Sequence, residues 1–278
     1  MDLGLGLSAG SLLLLAGALL AAGLVTGFMS GLLGIGGGGI LVPVLYETFS
    51  ALGIDPGIRM HMALGTSLLA ISFTTYKSYV THRAKGAVDG AVLRRLGPWV
   101  VAGVVVGILI AKYSSTDGLK WAWVVFGSIM AAKMAFGRED WRLGDALPRS
   151  WLVEVFAAFV GTVSVLLSIG GGAFMSTMLH VYGRPLLQSV ATSAGFGPII
   201  AIPGALGFVW AGWGAANLPP LSVGYVSLLG AMLIVPAGLL STPWGVRVAH
   251  GIPKRKLELA FAAFLALVVI RFLVSLLG

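Results

Sequence analysis

The segment from Leu32 to Pro43, LLGIGGGGILVP, places four consecutive glycines inside a long apolar run. Each glycine in a helix interior costs about 1 kcal/mol relative to alanine, because it loses the most backbone entropy on ordering. Four in succession, Gly36–Gly39, therefore predict that one helix ends here and that another begins just after them, at Ile40.

The composition is that of an integral membrane protein. Of the 278 residues, 58% are hydrophobic and 10% are charged, whereas soluble domains carry roughly a quarter charged residues. Apolar runs of about 20 residues, the length that crosses a bilayer, recur along the chain. The chain has no cysteine, which excludes a disulfide framework and a cysteine-ligated metal.

The sequence predicts an all-α integral membrane protein of about ten helical segments. The apolar segments are 9–33, 40–52, 61–81, 93–112, 119–137, 151–169, 173–183, 188–210, 222–243 and 256–277. We expect a first transmembrane repeat over 1–137, a cytoplasmic linker over 138–150 and a second repeat over 151–278.

The basic residues predict the orientation. The chain has a net charge of +8. Fourteen of its 18 lysines and arginines lie in or beside loops on one side of the predicted spans. By the positive-inside rule these loops are cytoplasmic, and both termini are external. Membrane orientation explains the charge, so no nucleic acid is expected as a partner. The first residues include Asp2 but no lysine or arginine, so we expect the first run to be kept as a membrane helix rather than cleaved.

Two segments repeat between the halves. LLGIGGGGI at Leu32–Ile40 matches LLSIGGGAF at Leu166–Phe174, offset by 134 residues, and LGTS at Leu64–Ser67 is echoed by VATS at Val190–Ser193, offset by 126. Each half then has five segments beginning with a glycine-broken hairpin, and an odd number of segments predicts inverted topology. Interrupted helices at corresponding positions of two such halves indicate a transporter's binding site.

The glycine breaks are candidate anion-binding elements. Helices that start after them expose backbone N–H groups and the positive end of the helix dipole, and glycine lets a ligand approach closely. The candidate backbone residues are Gly36, Gly37, Gly38 and Gly39 in the first half and Gly170, Gly171 and Gly172 in the second. The alternative is that these glycines only allow close helix packing, as we expect for the pairs Gly27/Gly31 and Gly103/Gly107. A match of Gly34, Gly36 and Gly39 to the dinucleotide fingerprint fails, because no strand and crossover helix of a parallel sheet can be placed around it.

Hydroxyl side chains near the start of the next helix complete the predicted substrate site. These are Thr66 and Ser67 in the first half and Thr192 and Ser193 in the second, with Gln188 as a neutral donor. The alternative is that the hydroxyls cap their helix or bond back within it.

A few ionisable residues are candidates for a proton pathway. These are Glu47, His61 and His180, although polar residues at a membrane interface are more often structural. The four histidines lack metal-ligand spacing and no catalytic constellation emerges. We therefore expect no enzyme, no metal and no cofactor.

These motifs together resemble the TauE/SafE sulfite exporter family, the TSUP permeases. The resemblance rests on AGLVTGFMSGLLGIGGGGILVPVLY from Ala22, MALGTSLLA from Met62, the basic loop THRAKGAVD from Thr81, and SIGGGAFMSTML with ATSAGFG in the second half. It implies a permease of the bacterial inner membrane for small sulfur-containing anions such as sulfite, thiosulfate or sulfoacetate, and it places the glycine runs and the two Thr-Ser pairs at the site. Ser168 stands where that family commonly has glycine.

The resulting hypothesis is a secondary transporter that exports sulfite or an organosulfonate by alternating access. Its partners are a small anionic substrate and the lipid bilayer, and the sequence leaves a homodimer open. A small-anion channel, an importer of a sulfur or carboxylate anion, and a membrane scaffold with packing glycines remain as alternatives.

Overall fold

The computed structural model describes residues 9–33, 37–137, 142–248 and 254–277. Ten α-helices occupy most of this part of the chain. They are α1 (Ala9–Leu33), α2 (Gly38–Ala51), α3 (Pro56–Ala84), α4 (Gly90–Tyr113), α5 (Thr116–Phe136), α6 (Trp151–Leu167), α7 (Gly172–Val181), α8 (Leu186–Ala211), α9 (Leu228–Val248) and α10 (Lys254–Leu277).

The ten predicted segments and the helical fold class are confirmed. Six helices contain stretches long and apolar enough to cross a membrane, namely those in α1, α4, α5, α8, α9 and α10. The start of the ninth segment differs from the prediction, because Ser222–Val223 (β1) and Val226–Ser227 (β2) pair as a short antiparallel hairpin. Gly224 has φ 54° in its two-residue turn, a conformation that favours a tight hairpin over a helix.

The helices pack in a small number of extended pairs. The longest contacts join α1 with α9, α3 with α8, α4 with α6 and α5 with α10. Helices α3 and α8 run antiparallel at the centre, because Gly65 packs on Phe208 while Thr75 packs on Gly197. The chain thus reaches one end of the α3/α8 pair at Asp55 and the other at Asp89, and we call these the Asp55 end and the Asp89 end.

Glycines bring the backbones of two helix pairs into direct contact. A β-carbon on Gly27 of α1 would collide with the carbonyl oxygen of Gly238 on α9, and one on Gly31 would collide with that of Thr242. On α4, Gly103 lies against the carbonyl of Ala158 in α6. The prediction that the small-residue pairs mediate tight packing is therefore confirmed.

Substitution of Gly27 by alanine tests this packing. The added methyl group meets backbone, which cannot rotate away, so α1 and α9 must separate. We expect a loss of about 1–3 kcal/mol in the stability of the purified protein, the usual cost of overpacking, measured as a lower unfolding temperature. Gly17→Ala on the same helix is the control, since nothing lies within 4 Å of its β-carbon position. Equal stability of the two variants would contradict the packing assignment.

Candidate functional site

Both glycine breaks have the same backbone geometry. Gly37 (φ 71°, ψ 3°) immediately precedes α2, and Gly171 (φ 69°, ψ −7°) immediately precedes α7. Both lie in the left-handed region that glycine adopts without steric cost. The helices thus begin at Gly38 and Gly172, two residues before the predicted starts at Ile40 and Phe174.

The predicted candidates at the two breaks are buried where the structure describes them. These are Gly37, Gly38 and Gly39 in the first half and Gly170, Gly171 and Gly172 in the second, while Gly36 lies outside the described residues. Neither helix start has a side-chain cap. The first backbone N–H groups of each helix therefore lack the side-chain acceptor that an N-cap residue normally supplies.

The two breaks meet. A β-carbon on Gly38 would collide with the carbonyl oxygen of Ser168, which ends α6 just before the second break, and one on Gly39 would lie 3.9 Å from the side chain of Ile169. From this contact α2 runs to the Asp55 end and α7 runs to the Asp89 end. The structure therefore brings the start of the first interrupted helix against the loop that precedes the second.

Buried hydroxyl groups surround the breaks. Ser30 and Ser164 each lie seven residues before a left-handed glycine, both are 0% exposed, and neither Oγ has a hydrogen-bond partner among the described residues. Ser164 Oγ lies 3.4 Å from the position of a β-carbon on Gly171, and Thr26, another buried hydroxyl without a partner there, packs on Gly37. Because a buried unsatisfied hydroxyl costs about 1–3 kcal/mol, these hydroxyls are candidates for binding a polar ligand or ordered water.

Ser168 combines this feature with backbone strain. Its φ is 53°, it is 0% exposed, and its Oγ also lacks a partner among the described residues. A non-glycine residue in the left-handed region costs of order 1–3 kcal/mol and often marks a functional position. Its Oγ lies 3.4 Å from the β-carbon position of Gly38, so the hydroxyl points toward the start of α2.

The two predicted threonines lie within helices rather than at their starts. Helix α3 begins at Pro56, ten residues before Thr66, and α8 begins at Leu186, six residues before Thr192. The predicted placement near the helix starts was therefore further off for Thr66. Polar residues in the first turns of α3 lower its hydropathy, so the apolar pattern did not predict this helix start.

Each threonine holds the start of a helix from the opposite half. Thr66 Oγ1 accepts a 2.9 Å hydrogen bond from the backbone N–H of Ser227, directly before α9. Thr192 Oγ1 accepts a 2.9 Å bond from the N–H of Asp89, which caps α4. The hydroxyls therefore cap helices, but not their own, and this exchange joins the two halves.

The neighbouring polar candidates differ in their environments. Ser67 is fully buried and its Oγ has no partner in the described part of the chain, whereas Ser193 Oγ donates to the carbonyl of Val190 at 2.8 Å. Gln188 is half-buried in the first turn of α8. Ser67 thus has a hydroxyl available to a ligand as far as the described residues show. Ser193 instead bonds back within its own helix, as in the alternative to a substrate contact.

The three proton-pathway candidates have different partners. Glu47 is half exposed and pairs with Arg271, with 3.0 Å between Oε1 and Nε. His61 is buried beside Tyr225, and its Nε2 is 3.0 Å from the carbonyl of Ala111. His180 Nδ1 is 3.0 Å from the carbonyl of Arg184, close to the Asp89 end.

Polar contacts bridge both ends of the α3/α8 pair. At the Asp89 end, Arg184 pairs with Asp89 across 2.9 Å, with 16% of the aspartate side chain exposed. At the other end, Asp55 accepts a 3.2 Å bond from Asn217. The N–H of Gly57, and then Asn217, hold the pKa of Asp55 below its usual range.

Sequence reasoning missed the buried hydroxyls at the breaks. Ser30 and Ser164 are separated by 134 residues, the same offset as the glycine runs, so their correspondence was visible in the sequence. Thr26 and Ser168 have no hydroxyl at the equivalent position, and only the structure reveals that none of the four hydroxyls has a partner among the described residues.

The chain is similar to known membrane proteins over most of its length. Residues 19–272 match the family described as "Sulfite exporter TauE/SafE". The chain is 28% identical to a probable membrane transporter protein of Haemophilus influenzae, covering 90% of this chain and 95% of that one. It is 25% identical to a probable membrane transporter protein of Methanocaldococcus jannaschii, covering 91% and 93%.

No solved structure is significantly similar to the chain. The family match covers nearly all ten helices, including both glycine breaks and the helices that carry the buried hydroxyls. The chain therefore belongs to the TauE/SafE sulfite exporter family and is a multi-pass membrane transporter.

Proposed function

We propose that this transporter exports a small sulfur-containing anion, sulfite or an organosulfonate such as sulfoacetate, by alternating access. The substrate binds between the starts of α2 and α7, beside Gly37–Gly39 and Gly170–Gly172. The contact of Gly38 with Ser168 carries this proposal, because it puts the uncapped start of α2 against the segment that leads into the uncapped start of α7.

The lengths of the short helices support a site inside the membrane. Helix α2 has 14 residues and α7 has 10, so they extend about 21 Å and 15 Å at 1.5 Å per residue. They leave the contact toward opposite ends, and their summed length is close to the thickness of a hydrocarbon core, about 30 Å. Irregular backbone at such a depth is tolerated where it lines a cavity or packs on protein.

The chemistry around the breaks suits an oxyanion. Two helix dipoles present their positive ends, and the hydroxyls of Thr26, Ser30, Ser164 and Ser168 can donate to oxygens. Lys133 adds positive charge near α7, with its Nζ 3.4 Å from the carbonyl of Ala173. A sulfite or sulfonate group offers three oxygens to such donors, and Ser67 and Gln188 are proposed as further contacts.

The pattern of helix contacts supports an inverted repeat, with residues 1–137 and 151–278 as the two units and 138–150 as the linker. If α1–α5 are exchanged with α6–α10, the α1/α9 pair becomes the α6/α4 pair, and both pairs are extended. The bonds of Thr66 and Thr192 exchange in the same way. Rocking of one repeat against the other is the usual basis of alternating access.

Polar contacts at both ends of the α3/α8 pair support a carrier rather than a channel. The Arg184–Asp89 ion pair bridges one end, and the Asp55–Asn217 bond bridges the other. A conducting channel needs both ends open at once. By the positive-inside rule, the basic loops support an orientation with the Asp89 end on the cytoplasmic side of a bacterial inner membrane and both termini external.

Reconstituted vesicles test substrate and direction together. Sulfite, thiosulfate, sulfate, sulfoacetate and matched carboxylates are each loaded under an imposed membrane potential. Moving one negative charge out of a negative interior is favourable by about 2.3 kcal/mol per 100 mV, so we expect efflux to follow the potential without an added ion gradient. Absence of flux for every sulfur anion would refute the proposed substrate class. A requirement for a proton gradient would point instead to Glu47, His61 or His180.

Alanine substitutions of Ser30 and Ser164 test the binding site. Each removes a buried hydroxyl without a partner among the described residues, so the unliganded protein should be at least as stable as the parent. Binding of the anion should weaken about tenfold or more, because a hydrogen bond to a charged group contributes about 1.5–3 kcal/mol.

Ser241→Ala is the matched control for this test, because Ser241 is buried but its Oγ donates to Gly238 at 3.2 Å. Binding and unfolding temperature are measured on all three variants. Unchanged affinity in both Ser30→Ala and Ser164→Ala would rule out the hydroxyl site.

Loosening the Asp89 end tests alternating access. The protein has no native cysteine, so Ser164→Cys provides a single reporter beside the second break. Asp89→Asn removes the ion pair with Arg184, and we expect severalfold faster labelling of the reporter by a membrane-impermeant thiol reagent from the Asp89 side alone.

The control for the labelling experiment is Arg95→Gln, which removes the 3.9 Å Arg95–Glu154 pair on α4 and α6. Equal acceleration in the control would show that any surface charge has this effect. Acceleration from both sides of the membrane at once would favour a channel.

A further inference from the structure

A groove outside the transport site combines positive charge with an apolar floor. Residues of α3, α4 and α8 line an open depression of about 600 Å³, and a second of about 360 Å³ adjoins it near the Asp89 end. Tyr79, Leu93 and Arg94 line both, so the two form one continuous groove. Both volumes are in the range of small-molecule sites.

The charge lies at one end of the groove. Arg83 and Arg94 line the smaller cavity, and both are exposed. Arg83 Nη1 donates to the hydroxyl of Tyr79 at 3.4 Å, which holds the guanidinium beside the opening. Neither arginine is within ion-pair distance of a carboxylate among the described residues.

The nearby carboxylates are engaged elsewhere. Asp89 pairs with Arg184 across 2.9 Å, and Glu154 lies 3.9 Å from Arg95. The mouth of the groove therefore carries two positive charges that no carboxylate in the described ranges compensates. Planar guanidinium groups bind phosphate oxygens in a bidentate manner. Two arginines at the mouth therefore suit a phosphodiester.

The rest of the groove is apolar and faces outward on membrane-spanning helices. Val101 on α4 and Ile202 on α8 line its far part, and their side chains are 37% and 48% exposed. Both helices contain candidate spans. A soluble anion would gain nothing from this surface, whereas an acyl chain would cover it.

We propose that this groove binds an anionic phospholipid, with the phosphate at Arg83 and Arg94 and an acyl chain along Val101 and Ile202. Basic pockets between transmembrane helices bind acidic lipid headgroups by this combination of contacts. The proposal does not depend on which substrate the protein transports. Since the groove joins α4 to α8, a bound lipid would stabilise the helices that meet at the Asp89 end.

Native mass spectrometry of the detergent-purified protein, titrated with phosphatidylglycerol or phosphatidylcholine, tests this site. We expect phosphatidylglycerol to bind more tightly, and the double variant Arg83→Gln/Arg94→Gln to weaken its binding about tenfold. The matched control is Arg142→Gln/Arg247→Gln, which removes the same charge from two exposed positions outside the groove. Ile202→Trp, which fills the apolar part and keeps both arginines, should weaken binding of the same lipid.

Three results would overturn the proposal. Equal binding of the two lipids would contradict recognition of the headgroup. An equal loss of lipid affinity in the arginine variant and the control variant would contradict binding in this groove. If soluble glycerophosphoglycerol bound as tightly as the intact lipid, the groove would be a site for free anions instead. Anion flux in vesicles is a separate measurement, so failure here leaves the transport proposal unaffected.

Discussion

The structure depends on one constraint: a helix that starts inside a membrane protein exposes N–H groups that must be satisfied. Helices α2 and α7 both begin after a left-handed glycine, and neither has a side-chain cap. Both starts are buried, so partners for these groups must come from protein, from ordered water or from a ligand. The contact of Gly38 with Ser168 places the uncapped start of α2 against the segment that leads into the uncapped start of α7. The remaining helices can be understood as the support for this pair of breaks.

The support relies on contacts that cross between the halves. Thr66 and Thr192 each hold the start of a helix from the other half, and glycines allow α1 to lie directly on α9 and α4 on α6. Such contacts tie the helices next to each break to helices of the other half of the chain. A movement that opened one end of the α3/α8 pair would therefore alter the surroundings of both breaks, which is the coupling that alternating access requires.

The sequence predicted the helices well because hydropathy and glycine runs act locally. All ten segments are present, and both breaks lie within two residues of their predicted places. The hairpin at 222–227 and the early start of α3 were missed. The hairpin depends on a positive φ at Gly224, and the first turns of α3, from Pro56, contain polar residues, so apolar content reveals neither feature. For the site, the glycines were predictable from their repetition. The missing partners of Ser164 and Ser168 were not, because a hydroxyl's hydrogen bonds depend on residues distant in the chain.

The makeup of the proposed site also explains how a carrier could release its anion. An arginine or lysine fully buried beside the substrate would bind it strongly, but would leave an uncompensated charge in a low-dielectric interior once the substrate departed. Helix dipoles and hydroxyls impose a smaller penalty when empty, because they carry partial charges. Ser168 adds strain to the empty state, and a ligand that accepts its hydroxyl bond compensates for part of that cost. A site built from backbone and hydroxyls is thus suited to repeated binding and release, and the helices that carry it need only move together to change the side from which it is reached.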